Sequence, residues 1–388
     1  MVTDQQPVPR ENSLDLDVKY SSDLYKSIRP FLLFGRAIGV LPLGGLNKDN
    51  HEALNFRCWS IKSVISILIM LSLLLCLGLS IFCLLTSGSK SVQEFVEAAN
   101  PVLYYFVGLF GYVYMFRRND QLRSVLETWK ESKVSYNNED RTLKRDVWLI
   151  FGLLFTSAVF ENLLQQSIQF TLLDWILDPT MDNFDPLRSY FYNHHYRWST
   201  QFPYHVALSC LFFIWNKLSL YAWNFVDIFV IIVSRALYFQ FRAIEKHARE
   251  NILKVRVDKN HQIEDESELY RKWDTLTTDF ETLLSLLNST RAFLSPLIFT
   301  SYAVNLFFVI VHLHMGLDGT TPDRDSTAVE VYETWSFLHL LCRVYVMTLF
   351  ASRIHDSGNE FLQLFRKCPL DSYSLKVERV ERSTISTT

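Results

Sequence analysis

YHVALSCLFFIWNKLSLYAWNFVDIFVIIVSRALYFQFR, Tyr204 to Arg242, is a mostly apolar and aromatic run with no glycine or proline to stop a helix. A bilayer core takes about 20 residues at a rise of 1.5 Å each, so the run predicts a helix that crosses and projects beyond. Lys217, Asp227 and Arg235 interrupt it, with Asn216 and Asn224. An unpaired charge facing lipid costs a few kcal/mol, so these groups are expected to face other helices or a wet cavity.

The chain supplies such partners. Of its 388 residues 49% are hydrophobic and 15% aromatic, which with long uncharged runs indicates an all-α polytopic membrane bundle rather than a soluble enzyme. Residues 1–28 read as a disordered cytosolic tail without a signal peptide, and 29–60 as an amphipathic segment at the inner interface. Residues 61–355 form the bundle, with six spans at about 63–89, 98–116, 147–173, 204–240, 292–317 and 334–352; 356–388 is a second cytosolic tail. Leu269, Trp273, Leu276, Phe280, Leu283, Leu284 and Leu287 recur at three- and four-residue steps ahead of the fifth span. The fourth and fifth helices are therefore expected to extend into the cytosol.

Loop charge orients the spans. Segments 117–146 and 241–291 hold eight and nine Lys/Arg, whereas 87–98, 171–203 and 316–333 hold one, two and one. Basic loops stay inside, so both ends of these 388 residues are expected in the cytosol. The Asn288 sequon then falls on the cytosolic side and is expected to be unused.

Several chemistries are not indicated. The net charge of −3 gives no reason to expect nucleic acid. The six cysteines form no CxxC pair and none falls in an expected outer loop, so neither zinc nor a disulfide framework is read. His194-His195 and His312-Leu313-His314 lack a carboxylate or Cys at ligand spacing. No phosphate loop or nucleophile elbow is present, so no enzyme and no cofactor is expected.

Four stretches carry a resemblance. FGRAIGVLPLGGLNKDNHEALNFRCWS (34–60), AWNFVDIFVIIVSRALYFQF (222–241), Leu294–Val309 (LSPLIFTSYAVNLFFV) and Trp335–Gly358 (WSFLHLLCRVYVMTLFASRIHDSG) resemble, in order, segments of insect gustatory receptors of the sugar-sensing, trehalose-receptor-like branch. The likeness covers roughly 31–380. It implies a plasma-membrane, multi-pass receptor of seven helices with a cytosolic N-terminus. It also implies a homo- or hetero-tetramer of related subunits forming a ligand-gated cation channel, with a sugar pocket in each outer half. In the family the seventh helix lines the pore and ends in a Gln-Phe pattern. Here Arg382 is followed by STISTT, so residues 1–388 alone are expected to bind sugar without conducting. A solute transporter is the alternative, although no internal repeat supports it.

Sugar sites combine aromatic faces with amides and carboxylates that satisfy hydroxyls. Glu161, Asn162, Gln165, Gln166 and Gln169 make a polar stripe at helical spacing near the outer end of span three. Tyr196, Trp198, Tyr204, His205 and Trp335 lie on the same side and complete the expected site; each aromatic alone is equally read as an interfacial belt residue. Lys217, Asn224, Asp227 and Arg343 are expected to form a polar network inside the bundle, with Lys217 near Glu161 or Asp227. Small sugars and membrane lipids are the partners expected.

Overall fold

The computed structural model describes residues 24–46, 54–57, 59–86, 88, 91–131, 140–172, 185–199, 201–249, 266–318 and 327–365. Of the tails expected at 1–28 and 356–388, residues 1–23 and 366–388 lie outside the described residues, while 24–28 and 356–365 are helical. The helices are α1 (Leu24–Ala37), α2 (Ile61–Thr86), α3 (Val92–Arg117), α4 (Asn119–Glu131), α5 (Asp140–Gln169), α6 (Pro186–His194), α7 (Tyr196–Ser199), α8 (Val206–Ala248), α9 (Glu266–Asp318) and α10 (Thr327–Phe365). Apart from one antiparallel bridge between Gly44 and Asn55, the described residues hold no β-structure.

The Tyr204–Arg242 run becomes α8, and α8 is the centre of the bundle. Its most apolar window is 83% buried, against 22% for α2, which turns its leucines outward. At 43 residues α8 spans about 65 Å, and α9 at 53 residues about 80 Å. Both exceed the roughly 30 Å hydrocarbon layer, so both project well beyond it. The helical extension read ahead of the fifth span is one piece with it. Trp273, Leu276, Phe280 and Leu283 are buried, and Phe280 meets Phe241 of α8 edge-on.

Five helices, α2, α5, α8, α9 and α10, contain segments long and apolar enough to cross a membrane. The helix α3, expected as the second span, is not among these five. Its first turns carry Gln93, Glu94 and Glu97, and it packs between α2 and α8. Gly108 permits that approach: a methyl group there would lie 2.9 Å from the Ser219 Cα.

The segment before α2 is built into the bundle. Helix α1 begins at Leu24, inside the stretch read as a tail, and buries Ile28, Phe31 and Leu32. Phe31 stacks on Phe225 at 4.6 Å with an interplanar angle of 6°. Gly39, at φ +79°, lets the chain leave α1, and its carbonyl accepts from Ser66 Oγ at 2.6 Å. The apolar face expected to rest on a membrane surface is spent on α8 instead. Near the start of α5, Asp146 meets Arg235 of α8 at 2.5 Å.

Candidate functional site

Between α3, α5, α8, α9 and α10, and closed at one end by α6 and α7, lies a cavity of about 590 Å³. That size is within the roughly 300–1,000 Å³ of small-molecule sites. The closing end is set by a local signal. Asp185 precedes Pro186, caps α6 by accepting from the Arg188 N–H at 3.1 Å, and takes the Tyr204 hydroxyl at 2.9 Å. This fixes α6 so that His194 and His195 reach the cavity, with Trp198 of α7 beside them.

Rings form one part of the wall. Trp198 stacks on His195 at 4.5 Å and on Tyr105 at 5.8 Å. Tyr104 donates to the Asn216 carbonyl at 2.7 Å, and Trp223 packs against Phe308. Burial and the Lys217 charge push His194 down to about 3. His195 is held well below the ordinary histidine value by burial, by His194 and by Lys217. Both imidazoles are therefore neutral, and His194 Nε2 accepts from the Asn216 amide at 2.7 Å.

The facing wall is polar. Glu161 accepts from Ser336 Oγ at 2.5 Å and lies 3.8 Å from His339 Nε2; His339 Nδ1 meets Ser157 Oγ at 2.7 Å. At the floor, Arg343 donates to Asn224 and Asn305 at 2.7 Å each and pairs with Asp227 at 2.7 Å. Asp227 also accepts from Ser301 and from Asn305. The guanidinium sits 4.6 Å over the Trp223 ring. Among the described residues, the buried polar atoms on the wall without a hydrogen-bond partner include Asn100 Oδ1, Asn162 Nδ2, His195 Nε2, Trp223 Nε1 and Arg343 Nε. Leaving such groups unsatisfied costs about 1–3 kcal/mol each, which a ligand bearing several hydroxyls would recover.

Of the site residues read from sequence, Glu161, Asn162, Gln165 and Trp198 line this cavity. Gln166 is buried one residue behind the wall, and the Gln169 carbonyl accepts from Asn193 at 3.2 Å. Tyr204 is occupied by Asp185, and His205 is the α8 N-cap residue. Trp335 packs edge-on against Phe160 on the bundle's exterior. The Tyr196 side chain lies outside the described residues. Asn224, Asp227 and Arg343 meet in one network; Lys217 is not part of it, being paired with neither Glu161 nor Asp227. Its ammonium lies over the Phe213 ring because Asp227 is already taken by Arg343. Tyr104, Tyr105, Trp223, Ser336 and His339 complete the wall without any signal in the sequence, since each sits inside an apolar run.

The profile of the trehalose receptor family matches residues 7–388. The chain belongs to the trehalose receptor family. Among Drosophila melanogaster proteins, this family member is 23% identical over 372 residues to the gustatory receptor for sugar taste 64f, covering 93% of this chain and 73% of that one. It is also 23% identical over 376 residues to gustatory receptor 5a for trehalose, at 93% and 76% coverage. It is an insect gustatory receptor of the sugar branch. Its fold is that of the insect olfactory receptor OR5 from Machilis hrabei, solved in complex with eugenol. The TM-score is 0.65 at 12% identity, over 94% of this chain and 89% of that one.

Proposed function

We propose that this chain is a sugar-sensing receptor subunit of the ligand-gated cation-channel type, and that a small sugar occupies the cavity between α3, α5, α8, α9 and α10. The observation that carries this reading is a wall that combines the aromatic side chains of Tyr105, Trp198 and Trp223 with the unpartnered polar atoms of Asn100, Asn162 and Arg343. Aromatic walls suit the C–H-rich surface of a sugar, and the polar atoms suit its hydroxyls. Two relatives are named as receptors for sugar taste and for trehalose, which supports the same class.

In this reading the receptor sits in the plasma membrane with its N-terminus in the cytosol. Residues 98–116 within α3 supply the remaining span, and subunits assemble as homo- or hetero-tetramers. Residues 1–388 expressed by themselves bind sugar and carry no sugar-evoked current. The test is titration of the purified chain with trehalose, sucrose, maltose and glucose, read by the fluorescence of Trp198 and Trp223. A saturable change with at least one sugar is expected. A flat response to all four overturns the reading. Whole-cell recording on cells displaying the chain tests conduction separately, and a reproducible sugar-evoked current defeats that part alone.

A further inference from the structure

Behind the cavity wall, on the seam between α5 and α8, lies a group of buried donors that the sugar reading does not use. Phe170, the residue that follows α5, meets Phe213 of α8 at 5.7 Å. The two helices run antiparallel there, so one turn further along each brings Gln166 opposite Lys217. Asp146 and Arg235, paired at 2.5 Å, keep nearly the same antiparallel register toward the other end of the seam. Lys217 is 8% exposed and its ammonium has no hydrogen-bond partner; Gln166 is 9% exposed and neither end of its amide has one. Tyr190 packs edge-on against Phe213 at 5.4 Å, is fully buried, and its hydroxyl is also unpartnered.

The charge balance of this seam is one-sided. Among the described residues no carboxylate pairs with Lys217, and Glu161 is engaged by Ser336. The remaining titratable neighbours, His194 and His195, are neutral and feel the Lys217 charge. A buried ammonium without a counter-charge is among the costliest arrangements a membrane bundle can hold, and an anion beside Lys217 would offset that cost.

We propose that Lys217 and Gln166, with the Tyr190 hydroxyl, form a small-anion subsite on the α5–α8 seam, taking a monovalent anion such as chloride or a carboxylate. Its neighbours Asn216, His194 and Gln165 line the main cavity, so an anion held there adjoins the space assigned to sugar. The free ion and the carboxylate of an acidic sugar share this chemistry. The inference depends on no part of the sugar reading.

The test uses the full chain in detergent at constant ionic strength, with a bulky sulfonate as background anion. Chloride is titrated in one arm and glucuronate in the other, reading the thermal midpoint and the fluorescence of Trp215, two residues from Lys217. A saturable rise of the midpoint is expected in at least one arm. Response to chloride assigns the free ion; response to glucuronate alone assigns the carboxylate of a ligand. Lys217→Met is expected to lower the apparent anion affinity by about tenfold or more, as for loss of a buried charge partner. Gln166→Leu weakens it by a smaller factor, and Lys217→Arg retains it. In anion-free buffer Lys217→Met melts above the parent, since an uncompensated charge has been removed. A parent midpoint indifferent to both anions overturns the proposal. So does a folded Lys217→Met protein that responds as the parent does.

Discussion

Arg343 of α10 and Asp227 of α8 meet at 2.7 Å with 3% and 0% of their side chains exposed, which makes this pair the most deeply buried ion pair of the described residues. Asn224, Asn305 and Ser301 satisfy the remaining donors and acceptors except Arg343 Nε, so three helices close on one charge pair. Breaking such a pair strands a buried charge and costs about 3–5 kcal/mol. Asp227→Ala or Arg343→Met is therefore expected to lower the thermal midpoint sharply and to reduce surface display. The double substitution Asp227→Leu with Arg343→Met recovers much of that loss. Differential scanning fluorimetry of the three proteins checks this, and a double variant as unstable as the sum of the singles refutes it. Arg343→Lys is not a mild change, because one ammonium cannot serve Asn224, Asn305 and Asp227 at once.

The α3–α8 crossing depends on one missing methyl group. A Cβ at Gly108 lies 2.9 Å from the backbone of Ser219, whose hydroxyl also donates to the Tyr104 carbonyl at 3.0 Å. Gly108→Ala has to push the helices apart, which costs about 1–3 kcal/mol by overpacking. It also shifts Tyr104 in the cavity wall. Gly78→Ala, with nothing within 4 Å, is the matched control and is expected to be neutral or slightly stabilising. Equal melting of the two variants disproves the tight crossing.

Acid is expected to loosen the end of the bundle closed by α6. His194 is pushed down to about 3 in the folded chain, and His195 also lies below its ordinary value of 6.5. Both titrate near 6.5 when unfolded, so below that pH the unfolded chain binds the extra protons. Stability is thus fully present above pH 6.5 and falls as the pH drops toward 3, by about 1.4 kcal/mol per unit per histidine. Melting at pH 7.5 and at pH 5 tests the slope, and His194→Gln is expected to flatten it. A midpoint that rises on acidification contradicts the assignment of neutral imidazoles.

Much of the architecture is readable from local pattern, because membrane helices advertise themselves by uncharged length. The Tyr204–Arg242 run and the three- and four-residue steps from Trp273 onward needed no neighbour to be interpreted. Partner choice is the part that local pattern does not contain. Asp227 lies close in sequence to Lys217 but pairs with Arg343, more than a hundred residues away, and only helix packing decides between them. Helix α1 shows the same limit: one apolar face suits a bilayer surface or a bundle equally, and Phe225 settles it. The polar stripe from Glu161 was legible, yet its three- and four-residue steps link Gln166 to Asn162 and Gln169 to Gln165 although only part of the stripe reaches the cavity. Trp335 illustrates the aromatic case, since a ring near a helix end reads alike whether it faces ligand or lipid.

That division yields the sharpest test of the site. If sugar lies in the cavity, Glu161→Ala, Gln165→Ala and Trp198→Ala should each weaken binding, because each removes a wall group. The loss expected is about tenfold, the order produced when a hydroxyl is left without its buried partner. Trp335→Ala and His205→Ala remove residues equally polar or aromatic that lie off the wall, and are expected to change affinity less than about twofold. Glu161→Gln separates charge from hydrogen bonding, since the amide oxygen still accepts from Ser336 at the distance now held by the carboxylate. Fluorescence titration with the sugar that binds the parent best gives all six affinities on one scale. Thermal melts of the same samples show whether a loss reflects the site or the fold. Weakening confined to Trp335→Ala and His205→Ala would move the ligand to the bundle's exterior end and away from the α3–α5–α8 cavity.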